Sequence, residues 1–142
     1  MKKLLIIEDN PMMRLFLQNY LGSNYDVSAV ATPEEAVEHC IENNYPHMIM
    51  CDYKDKQSES YQTLQSLCMQ IKWRNIPLFM LTDQDKSSER IDAFSLGAKD
   101  TLSKPFNPQE LVMRIDSMLN ISSSMTEIRT VVSQDHLPTH LK

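Results

Sequence analysis

Short apolar runs alternate along this chain with longer stretches in which apolar residues recur at helical spacing. Residues 4–7 (Leu-Leu-Ile-Ile), 48–51 (Met-Ile-Met-Cys) and 77–81 (Pro-Leu-Phe-Met-Leu) are unbroken low-polarity runs. Polar residues bound the first two on both sides, the pattern of a strand covered on both faces, and Thr82-Asp83 ends the third. A weaker strand is expected over 25–31, carried by Val27, Ala29 and Val30. A short one is expected at Thr101 and Leu102, ending near Lys104.

Between these runs the period lengthens. Met13, Phe16, Leu17, Tyr20 and Leu21 form a core-facing helical stripe, with Asn10 as cap, Pro11 at the first position and Gly22 as the stop. Thr32, Pro33 and Glu35 make a capping box ahead of Ala36, Val37, Cys40 and Ile41. Tyr61, Leu64, Leu67, Cys68 and Ile71 mark a third helix. A fourth starts at Ser87 or Ser88, turns Ile91, Ala93 and Phe94 inward, and stops at Gly97. Asn107 and Glu110 cap a fifth, with Leu111, Val112, Ile115, Met118 and Leu119 inward. Five strands alternating with five helices predict an α/β fold, a doubly wound parallel sheet with helices on both faces. Right-handed crossovers then leave few topologies.

Residues 1–121 form one domain on this reading. Residues 122–142 open with three serines and cluster only Ile128, Val131 and Val132 as apolar residues. About twenty such residues cannot build a core of their own. They are a tail, with docking, pairing and disorder all open as its state.

Composition narrows the function classes. Net charge is -5, and no basic block stands out, so nucleic-acid binding by this chain is not expected. No apolar run approaches the roughly 18 residues of a membrane span, and the N-terminal apolar run meets Glu8 and Asp9 too soon for a secretory signal. A cytoplasmic location is expected. Cys40, Cys51 and Cys68 lie apart in apolar contexts and are expected to be reduced and buried. His136 and His140 have Pro138 between them, which argues against a shared helical face and a metal site. The methionines, ten in number, are expected mostly on inner faces. With only Gly22 and Gly97 there is no Gly-rich phosphate loop for a nucleotide.

The chemistry lies at the strand ends. In a parallel sheet all strand C-termini share one edge. Here they carry Glu8 and Asp9, Asp52, Thr82 and Lys104. Taken singly each has a plainer explanation: a solvated acidic pair, the start of a polar loop, a turn hydroxyl, a surface charge. Taken together they bring acids, a hydroxyl and an ammonium to one place. Converging carboxylates call for a cation, and hard oxygen ligands suit Mg²⁺. Asp52 is then the nucleophile that takes a phosphoryl group, Lys104 and Mg²⁺ stabilise its charge, and Thr82 donates to a phosphoryl oxygen.

These residues, with Leu81-Thr82, Gly97-Ala98-Lys99-Asp100 and the run from Lys104-Pro105-Phe106 to Leu111, resemble the receiver domain of bacterial two-component response regulators. Order and spacing match over about residues 2–121, as does residue type. The resemblance implies a flavodoxin-like sheet of strand order 2-1-3-4-5. It implies phosphoryl transfer to Asp52 from a histidine kinase or phosphotransfer protein. It places Mg²⁺ on Asp9, Asp52 and the backbone carbonyl of Lys54, with Glu8 acting through a water. It implies a cis Lys104-Pro105 bond. It implies signalling through an unidentified downstream protein rather than enzymatic turnover.

The chain departs from that family in three places. Thr101 stands where the family carries Tyr or Phe, the ring that turns inward on activation. Signal is therefore expected to leave by loop movement or by pairing of two copies through the last two helices. The loop from Tyr53 to Ser60 lacks the usual Pro and Gly and is expected to be more mobile. Asp83 replaces a small residue and is expected to slow phosphorylation by small donors; Lys54 and Gln84 sit where side chains tune phospho-aspartate hydrolysis. These departures keep a second reading in play: a pseudo-receiver that binds or dimerises without being phosphorylated.

Overall fold

The computed structural model describes residues 1–84 and 86–120. The expected tail from 122 onward, with His136 and His140, lies outside the described residues.

Five strands form one parallel sheet: β1 (Lys3–Ile7), β2 (Asp26–Val30), β3 (Met48–Asp52), β4 (Leu78–Asp83) and β5 (Asp100–Lys104). Its order is β2-β1-β3-β4-β5, as the resemblance implied. The helices are α1 (Pro11–Leu21), α2 (Pro33–Asn43), α3 (Tyr61–Trp73) and α4 (Ser87–Ser95), with α5 over 108–120.

Alternation along each strand divides the core in two. Leu5, Ile7, Ile49, Cys51, Leu78 and Met80 pack with Ala36 and Cys40 of α2, Leu64, Leu67, Cys68 and Ile71 of α3, and Ala93 of α4. Leu4, Ile6, Met48, Met50, Phe79, Leu81 and Leu102 pack with Leu17 and Leu21 of α1 and Leu111, Ile115 and Leu119 of α5. Because both faces are covered, the central strands need no polar positions, and β3 is buried from end to end. Each buried Leu, Ile, Met or Phe side chain contributes about 1.5–3 kcal/mol of burial.

The caps hold the helix starts where the sequence puts them. Asn10 Oδ1 accepts from Met13 N at 3.0 Å and Thr32 Oγ1 from Glu35 N at 3.1 Å. Asn107 Oδ1 accepts from Gln109 N at 2.8 Å. Gly97 has φ of +106°, a left-handed conformation that a side chain would strain. Gly22 ends α1 at φ of -66°, and its value is space, since a Cβ would lie 2.7 Å from Gln18 O.

Several inward assignments are corrected. Phe16, Tyr20, Ile41, Ile91 and Phe94 are exposed. In α1 the buried row is Leu17 and Leu21 with Met13 partly covered; Phe16 and Tyr20 stack on each other outside it, with ring centroids 5.5 Å apart. In α4 only Ala93 is fully buried, and the exposed Ile91 and Phe94 lie about 200° and 100° from it around the helix. The helix α4 begins at Lys86 as cap, with no side-chain cap from Ser87 or Ser88. Met48, Met50 and Met80 are buried as expected, but Met1, Met12, Met69 and Met113 are exposed.

Candidate functional site

The C-terminal sheet edge gathers the residues chosen from the strand ends. Ladder register sets Ile7 beside Cys51, Asp52 beside Leu81, and Asp83 beside Lys104. Oxygens of Glu8, Asp9 and Asp52 come within 4.8 Å of one another. The Lys104 ammonium lies 2.5 Å from Asp52 Oδ1. The Asp52 side chain is 3% exposed and that of Lys104 29%, so salt screens this pair less than a surface pair. The Thr82 hydroxyl is fully buried and, alone among buried side-chain polar atoms of the described residues, has no hydrogen-bond partner. The Lys104-Pro105 peptide is cis.

The loop after β1 is fixed by groups that spacing does not reveal. Glu8 N donates to Val30 O at 2.9 Å, and Glu8 Oε2 accepts from Asn10 N at 3.1 Å. Arg14, one turn into α1, donates from Nη1 to Glu8 O at 2.8 Å. No pattern in the sequence pointed to Arg14.

The side chain of Lys54 is the largest surprise. Its backbone carbonyl was expected to serve the metal and its side chain to tune hydrolysis, not to pair with the acids. Its Nζ instead lies 3.0 Å from Asp9 Oδ1 and 3.1 Å from Asp52 Oδ2. Asp52 is thus held between two ammonium groups, one on each oxygen. The Lys54 ammonium holds the Asp9 carboxyl below its ordinary range. Burial raises Glu8, with the nearby Asp52 charge adding to the effect. Burial alone would depress Lys104, but its contact with Asp52 more than reverses that and the net shift is upward.

The donor set suits a hard divalent cation: three carboxylates at one strand edge, two of them buried. Glu8, Asp9 and Asp52 are the carboxylates that cluster there.

The sequence profile described as the response regulator receiver domain matches residues 4–116. The chain belongs to this family. The transcriptional regulatory protein SrrA of Staphylococcus aureus is 29% identical over 142 residues, covering 95% of this chain. The chain spans 57% of the length of that relative. A putative response regulator from Chloroflexus aurantiacus superposes with a TM-score of 0.73 at 33% identity, covering 84% of this chain and 98% of that one. A CheY-like receiver domain protein from Methanospirillum hungatei gives a TM-score of 0.73 at 24% identity over 88% of this chain and 98% of its own, and shows the shared fold.

The three departures take physical form in this receiver domain. Thr101 is buried beside Met80, its N–H bonded to Asp100 Oδ1 at 2.8 Å. Arg114 of α5 clamps the same strand, with Nη1 2.9 and 3.1 Å from the Asp100 carboxylate oxygens. Asp83 is half-exposed and lies 3.7 Å from the Lys86 ammonium, which offsets part of the negative charge expected to oppose an incoming phosphate. The loop after Asp52, without Pro or Gly, is folded into turns: Asp55 Oδ1 accepts from Gln57 N at 3.0 Å, and Asp55 O from Ser58 N at 3.1 Å. Tyr53 and Tyr61 flank that loop, and both hydroxyls donate to Asp92 of α4.

Proposed function

We propose that this receiver domain accepts a phosphoryl group on Asp52 from a phosphohistidine of a histidine kinase or phosphotransfer protein, and answers through protein–protein contacts in the cytoplasm. The observation that carries this is the buried Asp52 carboxylate, bonded to Lys104, at the same strand edge as the buried Thr82 hydroxyl, which has no partner among the described residues.

An Asp52 oxygen attacks phosphorus, the phosphorus–nitrogen bond of the donor breaks, and its electron pair leaves with the imidazole. Lys104 stabilises negative charge that grows on the transferring group, from a position already fixed by β5. The Thr82 hydroxyl, buried without a partner, gains an acceptor in a phosphoryl oxygen. Arg14 and the caps hold the β1–α1 loop so that Asp9 and Glu8 keep their places. When bound, Mg²⁺ would offset charge on the phosphoryl oxygens; Asp9, Asp52 and the Lys54 carbonyl would hold it, with Glu8 acting through water. The chemistry stays on the chain's own aspartate, so no turnover of an outside substrate is proposed. Output contacts include pairing of two copies through α4 and α5.

The second reading, a pseudo-receiver, is favoured by one observation: Lys54 already neutralises Asp9 and Asp52. Intact mass after incubation with Mg²⁺ and acetyl phosphate separates the two. An adduct of about 80 Da, one phosphoryl group, is expected on the native chain and absent from Asp52→Asn. Fluorine spectra with beryllofluoride should show bound signal on the same pattern. No adduct from acetyl phosphate or from a phosphorylated histidine kinase, and no beryllofluoride signal, would leave the pseudo-receiver.

A further inference from the structure

A lysine ammonium inside a cluster of acids is placed where a metal ligand set would be used. Lys54 Nζ contacts Asp9 Oδ1 and Asp52 Oδ2, at 3.0 and 3.1 Å. Both carboxylates belong to the cluster whose oxygens lie within 4.8 Å of one another. We propose that Lys54 is a built-in counter-cation that competes with Mg²⁺ for Asp9 and Asp52, so that metal binding must first expel the Lys54 ammonium. The inference rests on reading the acidic pocket as a Mg²⁺ site.

The charges argue for exclusion rather than sharing. Glu8, Asp9 and Asp52 face two ammonium groups, Lys54 and Lys104. Without Lys54, three acids would share one lysine. With Lys54 in place, a divalent ion would meet two ammonium groups at the same carboxylates, and like charges at that range repel. Mg²⁺ binds through one or two carboxylates and gives up its water reluctantly, so an ammonium on both Asp9 and Asp52 takes the ligands it needs most. Lysine suits the role, being a compact charge on a flexible four-carbon stem. Its side chain is 45% exposed and that of Asp9 is 54% exposed, so the ammonium has a route out to solvent. Tethering two residues from Asp52 keeps it at high local concentration, in the millimolar range for a short flexible link. Lys54 thereby sets the Mg²⁺ concentration at which the pocket fills, and it keeps the pocket compensated below that concentration.

The test is Mg²⁺ titration by calorimetry, with thermal unfolding in parallel, on the native chain, Lys54→Met, Lys54→Arg and Lys56→Met. Lys56 shares the loop, but its ammonium lies against Asp92, so it controls for the loss of one charge nearby. Lys54→Met is expected to bind Mg²⁺ about tenfold more tightly than the native chain. Its unfolding midpoint should be lower without metal and rise further when Mg²⁺ is added. Lys54→Arg and Lys56→Met should stay within about threefold of the native affinity. A Lys54→Met chain that folds only with Mg²⁺ supports the same conclusion, because the metal then replaces the ammonium. Equal affinities for the native chain and Lys54→Met would overturn the inference and leave phosphorylation of Asp52 standing. Equal tightening in Lys54→Met and Lys56→Met would overturn it too, as a general charge effect. No Mg²⁺ binding by any of the four would remove the metal reading and the competition with it, and the Asp52 adduct would then report separately on acceptor chemistry.

Discussion

Glu8 is the acid that the fold treats least kindly. It is 3% exposed, and its best partner is a single backbone N–H, that of Asn10. Burial raises its pKa from the ordinary 4.5, so the folded chain holds this proton to higher pH than the unfolded chain does. Between those two values the folded state binds more protons, and stability falls as pH rises. Glu8→Gln keeps a side-chain oxygen for Asn10 N and removes the charge. Without divalent ions it should raise the unfolding midpoint near neutral pH by a few degrees. The gain should fade as pH falls through the folded-state value, where Glu8 is itself protonated. Thermal melts over a pH series from about 4 to about 7.5 read the difference. A gain that stays the same across the series would mean that the buried charge is not the cause.

Among the elements, α4 has the weakest apolar hold on the sheet. Only Ala93 is fully buried, while Ile91 and Phe94 face solvent. Polar contacts make up the difference. Asp92 accepts from the Tyr61 hydroxyl at 2.7 and 2.9 Å and from the Tyr53 hydroxyl, tying α4 to the start of α3 and to the residue after Asp52. Both rings are mostly buried, and burial followed by the Asp92 contact pushes the Tyr61 hydroxyl up to about 12. Asp92→Ala strands the two hydroxyls, and a cost of about 1–3 kcal/mol in urea unfolding is expected. Amide exchange in α4 should quicken beyond that global effect, since the helix has little else to hold it. An unchanged exchange rate in α4 would show that Ala93 and Leu96 suffice. This triad also offers a physical link from the Asp52 loop to α4 in a chain whose Thr101 has no ring to turn.

The molecule as a whole is one sheet shared by two cores. Neighbouring residues of β4 serve opposite sides: Phe79 packs toward α1 and α5, Met80 toward α2, α3 and α4. The two cores therefore cannot unfold separately without exposing the same strands. Phe79→Ala should cost about 3–5 kcal/mol and still give a single unfolding transition by fluorescence and circular dichroism. Two transitions would show that the faces are energetically independent.

The apolar runs and caps were enough to place all five strands and most helix starts, because capping is decided by neighbours in the chain and a strand covered on both faces needs a short unbroken apolar run. They also put Asp52, Thr82 and Lys104 on one edge, since a parallel sheet leaves no other place for strand ends. Helix faces were less legible. Phe16, Tyr20, Ile41, Ile91 and Phe94 sit beside the buried rows, and a periodic stripe does not say how far a helix is rotated against its sheet. Strand order came from resemblance, because alternation alone permits several right-handed windings. Only the tertiary structure could show Arg14 on the Glu8 carbonyl, Asp92 between two tyrosines, and Lys54 turned back onto Asp9 and Asp52. These are contacts of polar tips, whose direction depends on where the rest of the fold leaves charge uncompensated.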